Sequence, residues 1–306
     1  MLGFLSANMV ICGFSGGQET KADQPQVTEG KRNTGSLWVR RRVVLPSGDA
    51  KAAGAVEVKE VQKRSLEGKE IAYAESGAAL QGWLVPWVEA DQPMPAVLVI
   101  PDWTGVGPFT KGRAQDLAKM GFVVMVADIY GKGVHPVGPA ACAAEAGKYK
   151  SNRALFRARL LAGLEELKKQ PNVDPARIWA VGFCFGGTGV LELARAGADL
   201  KGVVSFHGGL DSPTPADGRN IKTKVLILHG ADDPFVPAEG IAAMTAEFNA
   251  AKVDWQMVSY SGVVHSFTNP SAGTDNSKGS AYNAMADVRS WNAMRSFFTE
   301  VILPAK

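Results

Sequence analysis

The sequence predicts an α/β fold in three layers, with a mostly parallel central sheet flanked by helices on both faces. Continuously apolar runs such as AVLVI at 96–100 and FVVMVA at 122–127 are typical of strands buried on both faces. Between such runs, apolar residues recur at helical spacing, as leucine does at 155, 160, 161, 164 and 167. Strands that alternate with helices form right-handed βαβ units, which build a parallel sheet.

The pattern predicts strands at 79–88, 96–100, 122–127, 178–181, 202–206, 224–228 and 255–260. It predicts helices at 110–119, 152–169, 187–196, 238–250 and 282–302. Residues 128–150 contain Gly, Pro and His, and we expect a long connection there. Because ligands of such sheets bind beyond the carboxyl ends of the strands, the residues that follow each strand are the candidates for chemistry.

Residues 1–55 lack this periodic pattern, and we expect them to form an appendage to one domain over residues 56–306. Residues 1–14 are apolar and precede a polar run, as in a signal peptide with a flexible spacer. A basic start and an A-x-A cleavage site are missing, however. A disordered or mis-assigned start explains the pattern equally well. We favour export, with a cytoplasmic location as the alternative.

Composition argues against several classes of function. The net charge of +3 comes from basic residues scattered along the chain, whereas a nucleic-acid partner usually requires a concentrated basic face. Cys12, Cys142 and Cys184 lie far apart without the Cys/His spacing of zinc sites, so neither a metal site nor a disulfide framework is expected. No stretch approaches the roughly twenty apolar residues of a membrane span. We expect a small-molecule substrate and no cofactor, while monomer and dimer both remain open.

The segment V-G-F-C-F-G-G at 181–187 has the glycine spacing of the G-x-S-x-G turn, with Cys184 in place of serine. Glycine at 182 and 186 would relieve the Cβ clashes of a tight turn from strand to helix. The N-terminus of the helix that follows would favour a thiolate, because its free N–H groups carry partial positive charge. A buried, inert thiol explains this segment, taken alone, as well as a nucleophile does.

Two further strand ends complete a constellation. Asp233 follows the strand at 224–228, and His265 follows the strand at 255–260. Nucleophile, acid and histidine thus occur in the chain order of α/β-hydrolases. Each residue alone has a structural explanation, but all three in this order predict a Cys184–His265–Asp233 catalytic triad. Asp232 is the alternative acid; the spacing of three residues before Val236 favours Asp233.

The sequence resembles the dienelactone hydrolase family of α/β-hydrolases over roughly residues 70–303. The resemblance is carried by G-F-C-F-G-G at 182–187, D-P-F-V-P at 233–237 and V-H-S-F at 264–267, with support from P-D-W-T-G-V at 101–106 and A-D-I-Y-G-K-G at 127–133. It implies cleavage of small carboxylic esters or lactones through a thioester on Cys184. It also implies an oxyanion hole formed by the backbone N–H groups of Phe185 and Trp103.

The sequence departs from the family at two positions. Asp102 stands where the family has an activating glutamate, and Asn269 where it has an arginine that binds the substrate's carboxylate. A true dienelactone is therefore a less expected substrate. Arg153 and Arg157 are an alternative anion site, although a solvated helix face explains them more simply. His207 also ends a strand, and we expect a structural or substrate-lining role for it.

Two other functions fit the same pattern. One is a binding protein that has kept the fold and lost turnover, since function depends on the site rather than on the fold. The other is an acyltransferase that uses the same triad but transfers the acyl group to an acceptor other than water.

Overall fold

The computed structural model of the chain describes residues 66–87, 90 and 92–302. The predicted domain boundary at residue 55, the signal-peptide hypothesis and Cys12 lie outside these residues. Within them, none of the helices is both long and apolar enough to cross a membrane.

The strands of the described chain are β1 Lys69–Glu75, β2 Ala78–Val85, β3 Met94–Ile100, β4 Val123–Val126, β5 Val173–Phe183, β6 Gly202–Phe206, β7 Lys224–Gly230 and β8 Trp255–Tyr260. Its α-helices are α1 Pro108–Lys119, α2 Pro139–Ser151, α3 Arg153–Lys168, α4 Phe185–Arg195, α5 Ala238–Ala251 and α6 Ala284–Ile302. All the strands join one sheet in the order β1-β2-β4-β3-β5-β6-β7-β8. β2 runs antiparallel to β1 and β4, and the other neighbours are parallel.

Both faces of the sheet are buried, because alternate residues of the central strands point to opposite sides. On one side Leu98 of β3 packs in a cluster with Leu160 of α3, together with residues of α4 and α5. On the other side Val97 packs in a second cluster with Leu117 of α1 and Phe298 of α6. The predicted three-layer α/β-hydrolase fold is thereby confirmed. The carboxyl ends of β5, β7 and β8 meet at one edge, where the predicted triad residues follow.

The sequence prediction was wrong in three places. β1 was not predicted, because its sequence KEIAYAE is mostly exposed and polar, as edge strands often are. α2 was predicted as part of a connection. Its buried residues Cys142, Ala146 and Tyr149 follow helical spacing, but its many alanines give only a weak apolar pattern. β5 begins at Val173, five residues before the predicted start, within the polar segment VDPAR.

A network of buried ion pairs fastens α4 to the helices beside it. Arg195 has no exposed side-chain surface and donates to both carboxylate oxygens of Glu247 on α5, at 2.8 Å each. It also donates to the fully buried Glu192, one turn earlier, at 3.1 Å. A buried carboxylate is stable only with such partners, because burial strips both charges of water.

The solvated helix face expected for Arg153 and Arg157 is wrong. Their side chains are only 9% and 20% exposed. Arg157 donates to Glu192 at 2.8 Å, and Arg153 donates to Asp211 at 2.6 Å. Arg153 also lies 3.8 Å from the buried Glu192, so both guanidinium groups pair with carboxylates of the protein.

Replacing Arg195 with methionine should therefore destabilise the protein by about 3–5 kcal/mol, because Glu192 and Glu247 would remain buried with an incomplete set of partners. The matched control is Lys119→Met, which breaks an exposed pair with Asp116 and should cost about 0–1 kcal/mol. Urea unfolding of both variants measures the difference. Equal losses would show that the buried network contributes no more than a surface pair.

Candidate active site

The turn between β5 and α4 holds Cys184 in a strained backbone conformation, with φ 54° and ψ −113°. A non-glycine residue adopts a positive φ only where its surroundings enforce it. A Cβ on Gly182 would collide with the backbone carbonyl of Gly186, and one on Gly186 would collide with that of Ile100. Glycine is thus required at both positions, as predicted, and the turn brings α4 against the end of β3.

The structure brings together the three residues of the predicted triad. Cys184 Sγ lies 3.0 Å from His265 Nε2, and His265 Nδ1 lies 2.7 Å from Asp233 Oδ2. The other carboxylate oxygen of Asp233 accepts the backbone N–H of Phe235 at 2.9 Å, which fixes the orientation of the carboxylate. Asp232, the alternative acid, is exposed, whereas Asp233 is buried.

The arrangement favours a charged imidazole. Burial alone would lower the pKa of His265, but the charge of Cys184 and the hydrogen bonds to Asp233 and Cys184 outweigh it and raise this pKa to about 10. His265 is then protonated at neutral pH, with Nδ1–H donating to Asp233 and Nε2–H donating to the sulfur. Such a group can deliver a proton to a leaving atom on the carbon that Cys184 Sγ attacks.

His207 contacts the backbone of Cys184 and lies outside the residues that line the cavity described below. Its Nδ1 is 3.1 Å from the backbone nitrogen of Cys184, and its Nε2 is 2.8 Å from Thr268 Oγ1. Burial, followed by the nearby charge of His265, lowers the pKa of His207 well below the ordinary value. Of the two roles expected for His207, this placement matches the structural one.

A cavity of about 440 Å³ opens onto Cys184 and His265. Its lining is mainly apolar or aromatic and includes Trp103, Ala143, Ala146, Phe185, Phe235 and Val236. Lys150 and His265 are the lining residues that can carry a positive charge. One wall is a face of α2, which sequence reasoning missed because this segment was predicted to be a connection.

Both predicted oxyanion-hole residues line this cavity. Phe185 is the first residue of α4, where a backbone N–H has no acceptor within its own helix. Within the described chain, neither its N–H nor that of Trp103 donates a hydrogen bond. The hydroxyl of Tyr130 donates to the Trp103 carbonyl at 2.9 Å, and its ring packs 5.7 Å from that of Phe185. Tyr130, which the sequence pattern did not single out, therefore contacts both residues.

The remaining predicted site residues do not line the cavity. The Asp102 carboxylate is buried and accepts the Thr104 N–H at 2.8 Å and the Thr104 hydroxyl at 2.5 Å. Burial raises the pKa of Asp102, although these two hydrogen bonds act to lower it. Asn269 caps a short 3-10 helix by accepting the Ser271 N–H at 3.0 Å. Both side chains thus organise their own loops, and Arg153 and Arg157 also lie outside the lining.

The described part of the chain contains no group of three or more His, Cys, Asp or Glu side chains that could hold a metal ion.

Comparison with known proteins identifies relatives. The dienelactone hydrolase family matches residues 84–302. A carboxymethylenebutenolidase homolog of Mus musculus is 28% identical over 182 residues, 56% of this chain and 70% of the mouse protein. A Bradyrhizobium protein named "Probable 2-oxo-3-(5-oxofuran-2-ylidene)propanoate lactonase" is 28% identical over 184 residues, 57% of this chain and 73% of that protein. Among solved structures, the chain is similar to the crystal structure of a dienelactone hydrolase-like promiscuous phosphotriesterase from metagenomic libraries. The two sequences are 38% identical and the TM-score is 0.72. The match covers 77% of this chain and 98% of the phosphotriesterase.

The charge of Cys184 is the largest of the effects that raise the pKa of His265, so Cys184→Ala should lower this pKa from about 10. His265 would then release its proton at a lower pH than in the unmodified protein. An NMR titration of the imidazole Cε1–H signals measures both values. An unchanged pKa in the variant would contradict the charge pairing.

Proposed function

Since the chain belongs to the dienelactone hydrolase family and is by that membership an ester or lactone hydrolase, we propose that it cleaves small carboxylic esters or lactones through a thioester on Cys184. The observation that carries the proposal is the hydrogen-bonded line from Cys184 through His265 to Asp233, which opens onto a cavity lined by apolar side chains. An apolar cavity with a few polar groups at one point is the usual form of a small-molecule site.

In the acylation step, the Cys184 thiolate attacks the carbonyl carbon of the substrate and forms a tetrahedral oxyanion. The C–O bond to the alcohol then breaks, and His265 Nε2–H transfers its proton to the departing oxygen. The products are a thioester on Cys184 and a neutral His265. With a lactone, the released alcohol stays attached to the acyl group.

In the deacylation step, the neutral Nε2 of His265 takes a proton from water while the water oxygen attacks the thioester carbonyl. The C–S bond breaks, the thiolate of Cys184 returns, and a carboxylic acid leaves. Asp233 keeps the proton on Nδ1 throughout, so that Nε2 is the atom that exchanges protons with the substrate. Charge and atoms balance without a further reactant.

The N–H groups of Phe185 and Trp103 are our candidates for stabilising the oxyanion. Both residues line the cavity, and neither N–H has another acceptor in the described chain. One donor of this kind typically contributes about 3–4 kcal/mol to the transition state. Phe185 directly follows the nucleophile, and Tyr130 holds the loop that carries Trp103.

The cavity supports an uncharged ester or lactone with an apolar group as the substrate. Its volume of about 440 Å³ accommodates a small molecule, and its lining contains no carboxylate. The arginine that binds a carboxylate in the family is replaced by Asn269, which does not line the cavity. Lys150 is therefore the side chain we assign to any anionic group on a substrate.

Mutation of the nucleophile tests this mechanism. Cys184→Ala should lower kcat/KM for p-nitrophenyl acetate by about a thousandfold or more, because no thioester can form. Cys142→Ala is the matched control: this thiol is buried on α2, contacts the Pro136 carbonyl and is not part of the cavity lining. It should keep activity close to that of the unmodified protein. Full activity of Cys184→Ala would refute the proposal.

The same pair of variants separates the alternatives. A non-catalytic binding protein would bind esters without turnover, and Cys184 would react with iodoacetamide no faster than an ordinary thiol. An acyltransferase would release mainly transfer products when alcohols or amines are added to the reaction, whereas the proposed hydrolase releases the free acid.

Lys150→Ala should raise KM about fivefold for an ester that carries a carboxylate and leave an uncharged ester of equal size unaffected. Lys148→Ala is the control, because Lys148 lies on the same helix but pairs with Glu145 at 2.6 Å and does not line the cavity. Steady-state kinetics on the two esters measure the effect. An equal rise in KM for both esters would mean that Lys150 does not recognise the charge.

A second candidate substrate class is phosphotriesters, since the solved phosphotriesterase is 38% identical to this chain. A neutral triester suits the apolar lining, and the thiolate would attack phosphorus in place of carbon. Diethyl 4-nitrophenyl phosphate tests it: we expect slow release of nitrophenol that disappears in Cys184→Ala. Release that persists in the variant would exclude this use of the site.

A further inference from the structure

We propose that His207 is a positioning residue for Cys184: as the tautomer protonated on Nε2, it accepts the nucleophile's own backbone N–H and so fixes the direction of the Cys184 side chain. This inference rests on the proposed function, because it requires Cys184 to be the nucleophile.

The hydrogen bonds around the ring determine the tautomer. The Cys184 N–H faces two acceptors, the Phe206 carbonyl at 3.0 Å and His207 Nδ1 at 3.1 Å. Nδ1 can accept only if it carries no proton, so the proton is on Nε2. Nε2–H then donates to Thr268 Oγ1 at 2.8 Å. His207 is 2% exposed, and both of its nitrogens are occupied within the protein.

Two strained residues meet at this bond. Cys184 has a φ of 54° and His207 has a φ of 41°, and neither is glycine. Such conformations persist only where several contacts hold them. The backbone N–H of His207 donates to the Leu228 carbonyl at 2.8 Å, which ties the end of β6 to β7. The ring of His207 thus connects the nucleophile to a fixed part of the sheet edge.

Thr268, the partner of His207 Nε2, is also held in place. Thr268 is fully buried, and its backbone carbonyl accepts Arg113 Nη2 at 2.6 Å. Arg113 also pairs with Asp287 on α6 at 2.7 Å. The chain of contacts therefore runs from α1 and α6 through Thr268 and His207 to the Cys184 N–H.

A neutral ring is necessary for this role. A protonated Nδ1 would place one donor against another at the Cys184 N–H and break the bond. The His265 ring is 5.2 Å away in an edge-to-face arrangement, so its positive charge opposes a second charge on His207. Burial acts in the same direction.

Two isosteric variants test the inference. The oxygen of an asparagine side chain can occupy the place of Nδ1, and asparagine tolerates a positive φ. The amide of glutamine reaches the place of Nε2 and leaves the Cys184 N–H without this acceptor. We expect His207→Gln to lower the rate of the acylation burst with p-nitrophenyl acetate by about tenfold and to leave KM unchanged. In His207→Asn, the burst rate should return to most of its value in the unmodified protein. The rate of Cys184 alkylation by iodoacetamide should follow the same order.

Two further measurements remain informative if a variant does not fold. Thr268→Val removes the acceptor of Nε2–H without touching Cys184 and should also slow the burst. ¹⁵N NMR of the unmodified protein should show His207 protonated on Nε2 alone.

The outcomes separate this inference from the proposed function. The positioning role would be overturned if the unmodified protein shows a burst and the glutamine and asparagine variants have equal burst rates. A His207 proton on Nδ1 would overturn it as well. Turnover by the unmodified protein without any burst or acyl-enzyme would instead overturn the thioester mechanism, and the inference with it.

Discussion

The tight turn at Cys184 is the constraint on which the rest of the site depends. Gly182, Gly186 and the end of β3 approach so closely that a single Cβ at either glycine would push α4 away from the sheet. That approach forces Cys184 to a positive φ, sets its sulfur 3.0 Å from His265, and leaves the first N–H of α4 without an acceptor. The proposed nucleophile and the proposed oxyanion donor thus share one backbone feature.

Two histidines in contact have pKa values shifted in opposite directions, and their surroundings explain why. His207 is buried and the His265 side chain is only 12% exposed, which disfavours charge on either. His265 gains the charge of Cys184 and the hydrogen bond to Asp233, so its pKa rises to about 10. The ring nitrogens of His207 have neutral hydrogen-bond partners, Thr268 and the Cys184 N–H, so burial, followed by the charge of His265, lowers its pKa. In the proposed mechanism, His265 transfers protons while His207 holds Cys184 in place.

Much of this arrangement could be predicted from the sequence. Apolar runs identify the central strands, and the order of Cys184, Asp233 and His265 identifies the residues that meet at the sheet edge. The wall formed by α2 could not be predicted, because alanines give a weak apolar pattern. Nor could the partners of Arg153 and Arg157, since Glu192 and Asp211 approach only in the folded chain. Asp102 and Asn269 stand where the resemblance places a glutamate and an arginine, but each side chain hydrogen-bonds within its own loop, which the sequence pattern does not reveal.

The central claim is that the acyl group is carried by Cys184. Intact-protein mass spectrometry of a reaction quenched in acid during the burst measures this directly, and peptide mapping locates the adduct. The account predicts a mass increase of one acyl group on the peptide that contains Cys184, absent in Cys184→Ala. Continued turnover without an adduct, or an adduct on another residue, would contradict it.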